Sequence, residues 1–237
     1  MKLKSQIALV TGAGRGIGKA ISLSLAQEGA TVVLVSRTMS ELENVQKEIT
    51  LNGGMALAIR SDITQEQEVK GLFADIKSRF GRLDILVNNA GIGKFVSVKE
   101  MKVEDFDAMW SLNVRGLFLC TQQAIQFMES QKSGIIVNIS SLAGKNAFVR
   151  GAGYAATKWA LMGFSKCLML EERQYNIRVV TVCPGSVDTT FSDQEPEATR
   201  ADKILSAQDV ADTVLSAVLM PTRAMVSEID IRPTNPK

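Results

Sequence analysis

The chain has 237 residues, 46% of them apolar and 22% charged, with a net charge of +2. That length suits a single α/β domain with a sizeable core, and so small a charge gives no argument for nucleic acid or a membrane surface as a partner. The absence of any histidine excludes a Ser-His-Asp hydrolase, an HExxH metalloprotease and most His-ligated zinc sites.

Residues 1–6 run straight into an apolar strand and leave no room for a signal peptide, and no stretch approaches the ~20 apolar residues of a membrane span. A cytoplasmic protein is expected. Cys120, Cys167 and Cys183 form no CxxC pair. Each sits in an apolar stretch, which predicts small buried hydrophobes in a reducing compartment.

From the N-terminus, residues 7–10 form a continuous apolar run, the pattern of a strand buried on both faces. A glycine-rich loop follows, and then a helical stripe of Ile17, Ile21 and Leu25 that Gly29 stops. The alternation continues with strands over 31–35, 55–60, 83–88, 135–139, 177–182 and 226–231. Helices are predicted over 40–50, 65–80, 103–130, 154–173 and 207–220. Regular β–α alternation predicts one domain over residues 1–237. Its fold is a three-layer αβα, doubly wound parallel sheet, a Rossmann fold with about seven strands. Residues 189–206 break the rhythm, being polar and long, and are read as a substrate lid.

The loop Thr11-Gly12-Ala13-Gly14-Arg15-Gly16-Ile17-Gly18 lies between the first strand and the first helix. Glycines there let the backbone turn tightly and approach a phosphate, which the helix N-terminus attracts. The strand–loop–helix context raises the motif above a chance glycine run. An acidic residue at the end of the second strand selects NAD by binding the ribose 2′-hydroxyl. Here that position holds Ser36, followed by Arg37, with Arg15 in the loop. Two guanidinium groups and no carboxylate suit the 2′-phosphate of NADP(H).

Tyr154 and Lys158 are four residues apart on a predicted helix and share a face. A nearby ammonium favours a phenolate and lowers a tyrosine pKa from its usual value of about 10. Further along the chain stand Asp62, Asn88-Asn89-Ala90-Gly91, Asn113 within Leu-Asn-Val, Ser140-Ser141 and Pro184-Gly185-Ser186-Val187-Asp188-Thr189.

In that order, this set resembles the short-chain dehydrogenase/reductase family from end to end. The resemblance extends to 3-oxoacyl-[acyl-carrier-protein] reductases and sepiapterin-reductase-like members. It implies that Tyr154 is the general acid in reduction, that Lys158 lowers the tyrosine pKa and holds the nicotinamide ribose, and that Ser141 hydrogen-bonds the substrate carbonyl. It further implies that Asn113 supports a water between Lys158 and solvent. Gly12, Arg15, Gly16, Ile17 and Gly18 join the cofactor set, with Ser36 and Arg37. Asp62 contacts the adenine with Ile63 beside it, and Asn89 lies along the adenine ribose. Pro184, Gly185, Val187 and Thr189 line the nicotinamide side.

Alternative readings of single features stand beside these. Asn88 and Asn89 also suit the satisfaction of backbone groups at a strand end, and Ser140-Ser141 and Pro184-Gly185 also suit turns. Phe95, Leu142, Phe148 and Phe191 are candidate pocket residues. The expected function is NADPH-dependent reduction of a small carbonyl or acyl-carrier substrate, with no metal. The leading expectation is a 3-oxoacyl-[acyl-carrier-protein] reductase, with a sepiapterin reductase as alternative and an NADP(H)-sensing regulator as the non-enzymatic one. Helices apolar most of the way round, near 103–130 and 154–173, lead to the expectation of a homo-tetramer or homo-dimer.

Overall fold

The computed structural model describes residues 1–189, 191 and 204–234. Most of the expected lid, 189–206, lies outside these. Seven parallel strands form one sheet in the order β3-β2-β1-β4-β5-β6-β7. They are β1 (Ile7–Thr11), β2 (Thr31–Ser36), β3 (Met55–Arg60), β4 (Ile85–Asn88), β5 (Gly134–Ile139), β6 (Ile177–Pro184) and β7 (Glu228–Ile231). The helices are α1 (Gly16–Gln27), α2 (Met39–Leu51), α3 (Glu66–Phe80), α4 (Val103–Trp110), α5 (Leu117–Gln131), α6 (Ala152–Glu172) and α7 (Ala207–Val218).

Strand side chains alternate between two cores, as the period of two requires. Ala8 and Val10 of β1 face a cluster with Ile21 and Leu25 of α1, Leu42 of α2 and Val214 of α7. Ile7 and Leu9 face the other cluster, with Phe73 and Ile76 of α3, Met128 of α5 and Leu168 of α6. Each fully buried large side chain contributes about 1.5–3 kcal/mol relative to exposure. This two-sided burial explains why the strands read as unbroken apolar runs.

Helix ends follow the local chemistry. Gly81 takes the left-handed conformation that closes α3. Ser206 and Asp209 form a reciprocal capping box at the start of α7. At its other end, Arg178 of β6 donates to the carbonyls of Ala217, Val218 and Met220.

Two expectations are corrected. The single helix expected over 103–130 is divided by a π-helical turn, Ser111–Gly116, between α4 and α5. Cys120 and Cys183 are buried as expected, but Cys167 is exposed, because it sits on an outward position of α6.

Strand order reverses direction between β1 and β4. The loops that leave the C-terminal ends of these neighbours go to opposite faces, and a crevice opens between them. Such a switch point is where open parallel sheets bind ligands.

Candidate active site

A cleft of about 1010 Å³ runs along this crevice, from Ser36, Arg37 and Glu41 at one end to Ser141, Tyr154 and Phe191 at the other. Its floor is the glycine loop. Gly12 and Gly16 adopt φ of +66° and +52°, a region that costs other L-residues energy. A Cβ on Gly18 would fall 2.2 Å from the carbonyl oxygen of Gly12, so only glycine allows the helix this close to the loop. Gly18 therefore packs behind the floor and does not line the cleft.

The loop is held from β4. Thr11 Oγ1 accepts from the backbone N–H groups of Asn89 and Ala90 at 3.0 and 3.1 Å. Asn89 Nδ2 donates to the carbonyls of Thr11 and Gly12 at 2.9 and 3.3 Å. Asn88, fully inside, donates to Thr121 and Asn138. Asn89 thus lines the cleft as expected, yet its amide is engaged with the loop backbone, as the alternative reading had it.

α1 opens on this loop without a side-chain cap and without an acid in its first turn. Its unpaired N–H groups and positive dipole end suit an anion. Arg15, Gly16, Ile17, Ser36, Arg37, Asp62 and Ile63 line the same half of the cleft, and Pro184, Gly185, Val187 and Thr189 the other. A Cβ on Gly16 would come within 3.3 Å of Thr189 Cγ2, so the bare glycine keeps the passage open. This cradle fits a dinucleotide, with its pyrophosphate over the glycine loop. Asp62 is itself anchored, its Oδ1 accepting from the Thr64 backbone and hydroxyl.

At the other end, α6 carries Tyr154 and Lys158. Both are buried, and they are flanked by Ser141, which leads into the short 3-10 turn Leu142–Gly144. Ser141 Oγ accepts from Ala143 N at 3.1 Å and hydrogen-bonds the Tyr154 hydroxyl. Ser140 points inward, where its Oγ finds no hydrogen-bond partner among the described residues. Geometry thus selects Ser141 from the pair.

Lys158 Nζ donates to the Ile139 carbonyl at 2.9 Å and lies 5.7 Å from the centre of the Tyr154 ring. Burial pulls its pKa down to about 8. The Tyr154 hydroxyl is buried beside it. Burial pushes it up to about 12, with the Ser141 hydrogen bond pulling the other way. Each group is driven toward its neutral form because charge is costly where water is excluded.

Asn113 lies in the π-helical turn and does not line the cleft. Its amide clamps the backbone of Ile92 from both sides, at 2.9 Å each, and donates to Thr157. A Cβ on Gly91 would fall 3.2 Å from Asn113 Oδ1 and 3.8 Å from Lys158 Nζ. The bare Gly91 backbone therefore brings these two side chains together. π-helical turns are rare and gather at functional sites.

Phe95, Leu142, Phe148 and Phe191 all line the cleft. The rings of Phe95 and Phe191 stand 5.3 and 5.8 Å from that of Tyr154, edge to face, and Phe148 backs Phe95 at 6.0 Å. Glu41 is among the wall residues that escaped the sequence reading. From the first turn of α2, it reaches back into the cleft beside Gly14.

Among the described residues, no helix is long and apolar enough to cross a membrane. A family model described as short chain dehydrogenase matches residues 6–200. The chain is 36% identical over 236 residues to a sepiapterin reductase of Chlorobaculum tepidum, covering 97% of this chain and 96% of that protein. It is 40% identical over 192 residues to a 3-oxoacyl-[acyl-carrier-protein] reductase of Synechocystis, covering 81% and 78%. Among solved structures, a metagenomic short-chain oxidoreductase in complex with NADP superposes with a TM-score of 0.88 at 36% identity, over 99% of each chain.

Proposed function

The chain belongs to the short-chain dehydrogenase/reductase family, and from that premise we propose that it reduces a ketone or aldehyde with NADPH, as a 3-oxoacyl-[acyl-carrier-protein] reductase does. It is an oxidoreductase acting on CH–OH or carbonyl groups, and its cofactor is NADP(H). The observation that carries the proposal is the convergence of Tyr154, Ser141 and Lys158 at one end of a cleft whose other end is the glycine loop.

When bound, NADPH supplies the hydride that the carbonyl carbon receives. Negative charge then develops on the substrate oxygen. The Tyr154 O–H gives its proton to that oxygen, which leaves as an alcohol. The Ser141 hydroxyl donates to the same oxygen and stabilises it while the charge lasts. Lys158 keeps a positive charge within reach of the phenolate that Tyr154 becomes. Asn113 positions these groups by fixing the Ile92 backbone against α6. The aromatic walls exclude water, which strengthens each of these interactions.

The resemblance to the Synechocystis reductase supports a 3-oxoacyl thioester as substrate. One observation favours a second reading. The rings of Phe95 and Phe191 frame Tyr154, and a planar pteridine such as sepiapterin would pack between them. NADPH consumption with an acetoacetyl thioester and with sepiapterin, run in parallel, tests both. Turnover of the thioester alone supports the first reading, and turnover of sepiapterin alone replaces it with the second.

We also propose self-association through α5 and α6. Phe118 and Trp159 are 43% and 54% exposed, and Phe118 lines a surface groove of about 570 Å³ with Trp110, Leu161 and Phe164. Light scattering that gave the monomer mass of 25.7 kDa at micromolar concentration would exclude it.

A further inference from the structure

Cofactor choice in this fold is read at the end of β2, where Ser36 holds no carboxylate. The structure supplies one from elsewhere. A Cβ on Gly14 would fall 2.7 Å from Glu41 Oε2, 2.8 Å from Glu41 Cβ and 3.5 Å from Ser36 Oγ. The carboxylate therefore packs directly on the glycine loop, beside the end of β2. Glycine at position 14 is what makes room for it.

Glu41 is half-buried, and its backbone is fixed in a helix. Arg15 and Arg37 line the same end of the cleft but are exposed on long flexible stems. Among the described residues none of the three forms an ion pair or a side-chain hydrogen bond. Two cations and an anion thus share one end of the cleft without neutralising each other.

Resting on the NADP(H) reading above, we propose that Glu41 is a specificity-determining residue that accepts a ribose hydroxyl of NADH and opposes the 2′-phosphate of NADPH. In NAD-selective members of this fold the acid stands at the strand end, where it does both. Here α2 returns the same chemistry to the same place from five residues further along the chain. Arg15 and Arg37 attract the phosphate while Glu41 repels it, so the preference for NADPH is held below what the arginines alone would give.

Calorimetric titration of the intact protein with NADPH and with NADH, before and after Glu41→Gln, tests this. Glu41→Gln is expected to tighten NADPH by about tenfold, or about 1.4 kcal/mol, and to weaken NADH several-fold. The gain for NADPH should shrink as salt rises, since exposed charges are screened. Glu41→Lys should tighten NADPH further. Glu41 is also the acid in the first turn of α2, and a purely structural role would lower the melting temperature and move both cofactors alike. An equal change for both cofactors, or none, overturns the proposal while the cofactor reading stands. A wild-type protein that bound neither cofactor would overturn both.

Discussion

The two ends of the cleft handle charge in opposite ways. Around Tyr154 the polar groups are buried, and burial shifts the pKa values of Tyr154 and Lys158 by large amounts. Around Ser36 and Arg37 the charges are exposed or half-exposed. Low dielectric magnifies every interaction at the first end, and solvent screens those at the second. The lesson is that chemistry is placed where one group matters by orders of magnitude, and cofactor selection where several weak charges add up.

Substitutions break or sharpen this contrast. Tyr154→Phe keeps the ring and its packing against Phe95 and Phe191 but removes the proton donor. It should lower turnover by roughly 10²–10⁴-fold while calorimetry still shows NADPH binding. Activity within tenfold of wild type would mean that another group donates the proton. Ser141→Ala removes one donor to the developing oxyanion and should slow the chemical step by about 10²–10³-fold, read in single-turnover kinetics.

Lys158→Met probes the buried pair through pH. Burial pulls Lys158 down to about 8 and pushes Tyr154 up to about 12, so the proton lost as pH rises through about 8 is that of the Lys158 ammonium. Reduction needs the ammonium to stabilise the phenolate that Tyr154 becomes, so it should slow as pH rises through this value. Lys158→Met removes that ionisation, so the falling limb near pH 8 should vanish from the reduction profile and turnover should be low throughout. A limb that stays in place would assign the ionisation to a different group.

The smallest effect is expected at the exposed end. Arg37→Ala should reduce kcat/KM with NADPH about tenfold, or about 1.4 kcal/mol, and leave NADH nearly untouched. Combined with Ser36→Asp it should reverse the preference. Equal losses with both cofactors would show that Arg37 supports the loop and does not read the phosphate.

The layers of the fold were legible because parallel strands buried on both faces leave unbroken apolar runs, as 7–10 and 31–35 do. The π-helical turn around Asn113 was not, since Ser111–Gly116 continues the apolar spacing of its neighbours, and a helix wider by one residue per turn has no residue signature. Ser141 enters through the family resemblance, and only the fold shows that it stands beside Tyr154 while the Ser140 hydroxyl is buried. The burial around Tyr154 was not legible, because a sequence displays the partner at i+4 but not what encloses the pair. Glu41 was missed because the strand-end rule looks along β2, and only the folded α2 returns a later residue to that point.

The central claim is that the buried end of the cleft does carbonyl chemistry, and its most direct test is NADPH consumption by the wild-type protein. A panel of an acetoacetyl thioester, a diketone and sepiapterin would be supplied with NADPH deuterated at the transferred position. The account predicts carbonyl-dependent consumption with at least one of them and deuterium on the carbon of the alcohol formed. Tight NADPH binding with no carbonyl-dependent consumption, across the panel and across pH 6–9 around the Lys158 value of about 8, would contradict it. That result would leave a protein that binds the cofactor as a sensor and does not reduce.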